Sequence, residues 1–115
     1  MSKGILFLML ATCVAAEAKE PIPLFDGKSL KGWSKTVFPE GHVYNGGQWE
    51  ANEGAIVASR PKGDRRGSWL STKEKYGDFE LQLEVKPDWG CDTGVLLRHN
   101  GVGAGIQVSI DYRNG

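Results

Sequence analysis

The sequence predicts an all-β protein of short antiparallel strands, and three observations predict it. Residues 79–85, FELQLEV, alternate strictly: Phe79, Leu81, Leu83 and Val85 share one side, and Glu80, Gln82 and Glu84 share the other. That period of two is a strand with one dry face and one wet, carboxylate-bearing face. The pattern returns in residues 106–111, with Ile106, Val108 and Ile110 opposite Gln107, Ser109 and Asp111. Glycine is abundant, 16 of 115 residues, which suits a loop-rich β protein, and no segment sustains a helical period.

Taken in order, residues 1–18 have the form of a secretion leader. Lys3 is the positive start, residues 5–16 are an apolar run too short to span a bilayer, and Ala16-Glu17-Ala18 offers a small-x-small cleavage site. Export to the periplasm or medium follows, with no stable membrane insertion once the leader is removed. Leu10-Ala11-Thr12-Cys13 is the competing lipoprotein reading, with Cys13 acylated, but Thr12 is larger than the residue such sites place before the cysteine. Residues 19–115 then form one domain. Pro21-Ile22-Pro23 is an extended lead-in. Asp26-Gly27 is a turn, around which Leu24, Phe25, Leu30 and Trp33 fold as an apolar clasp.

Strands are expected at 47–51 and 55–59, joined by Asn52-Glu53-Gly54 as a three-residue connection with a bulge. Residues 60–67, RPKGDRRG, are a charged loop without the glycine spacing of a phosphate cradle. Residues 68–72 are a further strand, 73–77 a turn into the strand at 78–85, and Val95-Leu96-Leu97-Arg98 a short strand ending in a lone cation. If 78–85, 95–98 and 106–111 share one sheet, its polar face carries Glu80, Glu84, Arg98, Gln107 and Asp111. Such a face can bind a sugar or simply meet solvent. The chain ends on residues that read as a turn, Tyr112 to Gly115, and five or six strands fall short of a closed sandwich, so the domain is expected to be cut short at its C-terminus.

Fourteen basic and fourteen acidic residues cancel. Without a basic stripe there is no electrostatic footprint for nucleic acid. Of the two cysteines, only Cys91 remains after leader removal, so no internal disulfide can form. The stretch from Asp88 to Gly94 lacks the third acidic position and the closing Glu of a calcium loop. The sequence assigns no metal and no cofactor.

Leu24-Phe25-Asp26-Gly27 with Leu30 and Trp33, then Trp49 and Gly54, then residues 76–81 (YGDFEL), then Thr93-Gly94-Val95 with Arg98, then residues 105–111 (GIQVSID) occur in one order. In that order the chain resembles the 3-keto-disaccharide hydrolase domain family. The resemblance implies a concanavalin-like jelly-roll β-sandwich that extends past the last residue here. It also implies a carbohydrate substrate: a glycoside already oxidised to a ketone at C3.

The chemistry of such a substrate is simple to state. A 3-ketone acidifies the C2–H, a base removes that proton, the glycosidic oxygen leaves C1, and water adds back. This needs a base, a group to hold the enolate oxygen and an acid for the leaving group, not the paired carboxylates of ordinary glycosidases. Within the family pattern Arg98 falls on a Gly-x-x-x-Arg motif, where it can hold an enolate or hydroxyl; its alternative is an ion pair with Glu80 or Glu84. Asp111 is a candidate base or sugar ligand, or a turn cap. His99 is a candidate base, or an inert loop histidine. Gln107, Trp89 and Glu80 are the candidate sugar-binding residues. Gln107 and Ser109 stand where many members carry Glu and Gln, and an amide cannot abstract a proton. A non-catalytic, lectin-like sugar-binding module is therefore the second reading, and a truncated product without a stable fold is the third.

Overall fold

The computed structural model describes residues 6–15, 20–88, 92–101 and 104–111; for residues 6–15 and Asp111 it describes the backbone alone. Trp89, Cys91, the cleavage-site residues 16–18 and the terminal turn at 112–115 lie outside the described residues. Among the described residues there are nine strands: β1 (Leu6–Ala15), β2 (Ile22–Pro23), β3 (Trp33–Lys35), β4 (Gln48–Asn52), β5 (Ala55–Ser59), β6 (Leu70–Thr72), β7 (Phe79–Pro87), β8 (Asp92–Leu97) and β9 (Ile106–Asp111). All pairings are antiparallel, and no described helix is long and apolar enough to cross a membrane. The all-β class expected from alternation and glycine content is what the structure has.

The strands form one five-stranded sheet and two two-stranded sheets. In the large sheet β1 runs between β5 and β7, with β4 outside β5 and β2 beside the far end of β1. β3 pairs with β6, and β8 pairs with β9. The three strands that period-two reading set on one polar face are thus divided. β7 takes β1 as its neighbour, whereas β8 and β9 make their own hairpin. Alternation dictates which side chains share a face, but the hydrogen-bonding neighbour is a separate, non-local choice.

Burial along β7 alternates strictly, half-buried at Phe79, Leu81, Leu83 and Val85 and exposed at Glu80, Gln82 and Glu84. The dry face looks across a gap toward β3, β6 and β8. The fully packed part of the core is at β5, where Ala55, Ile56 and Val57 are buried, with Phe38 beside the 38–45 loop. That loop is held down by Asn45, whose side-chain carbonyl accepts from the Phe38 N–H at 2.9 Å and whose amide donates to the Phe38 and Pro39 carbonyls. Phe38 stacks on His42 at 4.4 Å and meets the Trp69 ring edge-on at 4.9 Å.

The β4–β5 connection differs from the expected three-residue loop. Asn52 pairs with Ala55, leaving only Glu53 and Gly54 in the turn, with φ of 49° and 77°. Two consecutive positive φ values twist the chain with the right-handed twist of the flanking strands, which is why two-residue hairpins favour this geometry. The Asp26 turn forms as expected. Its Oδ1 accepts from the Lys28 and Ser29 amides and its Oδ2 from the Ser29 hydroxyl. The clasp closes where the Trp33 indole N–H donates to the Leu24 carbonyl at 2.7 Å.

Candidate active site

Between the dry face of β7 and the smaller sheets lies a cavity of about 610 Å³, within the size range of small-molecule sites. Trp33, Trp49 and Trp69 contribute indoles to its wall, Phe79, Leu81 and Leu83 its apolar side, and Ser71, Glu74, Arg98 and His99 its polar groups. Two of the indole N–H groups are already spent on protein acceptors, Trp33 on Leu24 and Trp49 on the Ser68 hydroxyl at 2.8 Å. Those two walls therefore present ring surface more than hydrogen-bonding capacity.

Arg98 and His99 follow the end of β8. Arg98 has φ of 52°, an unusual backbone for a residue with a side chain, and the sharp change of direction separates the two neighbouring side chains. Arg98 Nη2 donates to the Gly77 carbonyl at 2.7 Å, lies 3.6 Å from Asp78 Oδ1, and its guanidinium sits 5.5 Å from the centre of the Phe79 ring. Its ion-pair partner is thus Asp78 at the entry to β7, not Glu80 or Glu84. Because Asp78 is almost fully exposed, 90 %, the charge pair itself is weak. The carbonyl bond and the ring contact do the fixing.

His99 turns inward. Its Nδ1 accepts the Gly101 N–H at 3.1 Å, and its Nε2 is 3.0 Å from Ser71 Oγ, which is 3.0 Å from Thr36 Oγ1. An N–H pointing at Nδ1 requires a lone pair there, so a neutral ring carries its proton on Nε2 and donates it to Ser71 Oγ, which also shares a hydroxyl–hydroxyl bond with Thr36 Oγ1. The relay Thr36–Ser71–His99 joins the loop after β3, β6 and the loop after β8. Sequence reading missed Thr36 and Ser71, because they lie 63 and 28 positions from His99 and carry no motif. It also missed Glu74, the one carboxylate among the described residues lining the cavity.

The other sequence candidates lie elsewhere. Glu80 is exposed on the wet face of β7, where its Oε1 accepts a long 3.4 Å bond from Gln82. Gln107 is exposed on β9, and its side chain crosses the backbone of Gly94, where an added Cβ would lie 2.7 Å from Gln107 Nε2 and 2.7 Å from the Val108 carbonyl. The glycine of the Gly-x-x-x-Arg pattern is there because β9 and the Gln107 side chain come too close for any other residue. The backbone of Asp111 pairs with Asp92 at the start of β8. Arg98 and His99 follow the other end of that strand, so Asp111 is about 20 Å from them at roughly 3.3 Å per residue. The structure gathers Arg98, His99 and Ser71 at one end of the cavity, whereas Glu80 faces the wet side of β7, Gln107 lies beside Gly94 on the β8–β9 hairpin, and the backbone of Asp111 is at the opposite end of β8. Trp89 lies outside the described residues.

The model of the 3-keto-alpha-glucoside-1,2-lyase-like domain matches residues 20–115. The chain belongs to this family. The expectation drawn from the ordered motifs is thereby met, and a glycoside-processing, carbohydrate-directed domain is the family's character. No curated protein and no solved structure matches the chain. In this lyase-like domain the Gly-x-x-x-Arg stretch, Gly94 to Arg98, covers the second half of β8 and ends at the polar corner of the cavity.

Proposed function

We propose that this domain cleaves glycosides carrying a ketone at C3 of the sugar, in the cavity between β7 and the smaller sheets. The supporting observation is the set of chemically capable groups in one cavity: Arg98, His99, Ser71 and Glu74, together with Lys73, Lys75 and Tyr76, in a lining that also carries indoles and aliphatic side chains. Arg98 is fixed by the Gly77 carbonyl and serves as the cation beside the enolate oxygen. The Nε2–H of His99, backed by Ser71 and Thr36, supplies a proton for the departing glycosidic oxygen. Glu74 takes the C2 proton. Elimination across C1–C2 and addition of water then complete a net hydrolysis. The base and the cation must reach adjacent carbons of one ring; Glu74 is chosen as the base because it lines the cavity with Arg98, and Asp111, about 20 Å along β8 from Arg98 at roughly 3.3 Å per residue, is left out of this proposal. Residues 1–18 are read as the export leader, with release to the periplasm or medium.

One observation favours the second reading, a sugar-binding module without turnover. Both ring nitrogens of His99 and one arm of Arg98 are satisfied within the protein, as in a preformed wall with no proton to move.

A chromogenic 3-keto-glucoside and the intact chain decide between them. Turnover is expected, falling by on the order of 10²–10⁴ in kcat with Glu74→Gln and strongly with Arg98→Ala, while Asp111→Asn stays close to the parent. Undiminished turnover in Glu74→Gln, or its loss in Asp111→Asn, would overturn this placement. Saturable sugar binding with no turnover in the parent would establish the module.

A further inference from the structure

The central position of the large sheet is held by β1, the segment whose sequence also reads as a cleavable leader. Along one edge its backbone pairs with β7 from Leu6 opposite Pro87 to Ala15 opposite Phe79, with a register shift between Met9 and Thr12. Along the other it pairs first with β5, Leu6 to Leu8 opposite Ala58 to Ile56, and then with β2, Thr12 and Cys13 opposite Pro23 and Ile22. β1 is therefore bonded on both sides, and it is the only described strand between β5 and β7.

The gap it fills cannot close over it. Strands on either side of a third lie about 10 Å apart, two strand spacings, twice the distance a ladder bond can bridge. β5 and β7 are each antiparallel to β1, so they are parallel to one another. Direct pairing would require a translation of the whole layer and a parallel ladder. β5 also carries Ala55, Ile56 and Val57, three of the buried apolar residues of the described core, so opening this gap exposes the backbone edge of the best-packed strand.

We infer that the gap between β5 and β7 is a strand-acceptor site for an extended apolar peptide lying antiparallel to both, and that residues 6–15 are its occupant in the uncut chain. Severing the chain after Ala18 then does more than release a leader. It frees the occupant and leaves a one-strand-wide site competent to take up another segment of the same character. Such recognition is by main-chain hydrogen bonds, with side-chain shape as a secondary filter.

The test uses the full chain and amide hydrogen exchange. Proline at Leu8, which pairs on both edges, removes a ladder bond from a central strand. Leu8→Pro is expected to speed exchange at Ile56, Val57 and Ala58 and along residues 80–85 by on the order of 100-fold. A synthetic peptide of residues 6–15 with a solubilising lysine tail, added to that variant, is expected to bind saturably and restore protection at the same amides. The same peptide bearing the proline is expected to do neither. The inference is overturned if Leu8→Pro leaves exchange in β5 and β7 as in the parent. It is equally overturned if the two peptides act alike. Should the variant unfold outright, refolding by the parent peptide alone supports the site, and failure to refold with either peptide counts against it.

Discussion

Asp26 shows how much a single side chain can organise. Its carboxylate is held at about 2, below its ordinary 3.8, first by the Ser29 hydroxyl and then by the Lys28 and Ser29 amides. Asp64 is lowered to about 2 by the Arg66 side chain and then its amide. Both groups are depressed in the folded chain, so their contribution is present above the unfolded value near 3.8 and disappears as pH falls through about 2. Stability measured by urea at fixed intervals from pH 5 to 2 is expected to decline across that window, and Asp26→Asn with Asp64→Asn to flatten the decline. Asp26 is exposed, and Asp64, though its side chain is 17 % exposed, pairs with an Arg66 side chain that is 53 % exposed, so the effect is modest. The Ser71 relay gives a second expectation. Ser71→Ala strips a partner from both His99 Nε2 and Thr36 Oγ1 and should cost about 1–2 kcal/mol in urea unfolding. Thr36→Val, which leaves the Ser71–His99 bond in place, should cost less. His99 was legible in the sequence as a candidate, but its partners in this relay were not. A histidine and a serine 28 positions apart become neighbours only because β6 and the loop after β8 face the same cavity. Arg98 was more accessible, because a cation closing an apolar strand is conspicuous; its partner was not.

At the scale of elements, the strands could be read far better than their partners. β4 to β9 were located within a few residues, β7 and β9 by period two, β8 by its short apolar run, β4 and β5 by the turn between them and β6 as a short strand after the charged loop. It could not say that β7 would take β1 and leave β8 and β9 as a separate hairpin, because pairing is decided by packing across the whole layer. β1 itself was hidden by composition: a run of Leu, Met, Ala and Phe fits an export leader as well as a central strand. The turn at Glu53 was misjudged for a local reason. Its φ of 49° suits glycine or asparagine, so the sequence does not advertise the tighter loop. Glu53→Asn or Glu53→Gly is accordingly expected to raise stability by about 0.5–1 kcal/mol in thermal or urea unfolding. Gly94→Ala should act in the opposite sense. Its Cβ would meet the Val108 carbonyl at 2.7 Å, and since a carbonyl cannot swing aside as the Gln107 side chain can, the hairpin must shift, at about 1–3 kcal/mol. Combining it with Gln107→Ala should recover only part of that loss.

Across the whole molecule, apolar burial is unevenly shared. Among the described side chains only Phe38, Ala55, Ile56 and Val57 make up the buried apolar core, with Ile56 the largest that is fully enclosed, and Ile106 and Val108 on β9 are 64 % and 55 % exposed. Much of the dry surface therefore faces the cavity instead of other side chains, and stability is concentrated at β5. Ile56→Ala is expected to cost about 2–5 kcal/mol, a large share of what a domain of this size has. By contrast, Val37→Ala, at a position 86 % exposed, should be close to neutral. Denaturant midpoints of the two variants against the parent check this contrast.

The aromatic wall has an optical consequence. Trp69 meets His99 at 5.7 Å and Phe38 at 4.9 Å edge-on and Tyr44 at 5.2 Å in a tilted arrangement, and it borders the cavity. An indole so placed is a fluorophore built into the chamber, its emission governed by the imidazole beside it and by the water a ligand would displace. Phenylalanine at Trp33, Trp49 and Trp89 would isolate that signal, letting a sugar titration be followed by light emission without a labelled substrate.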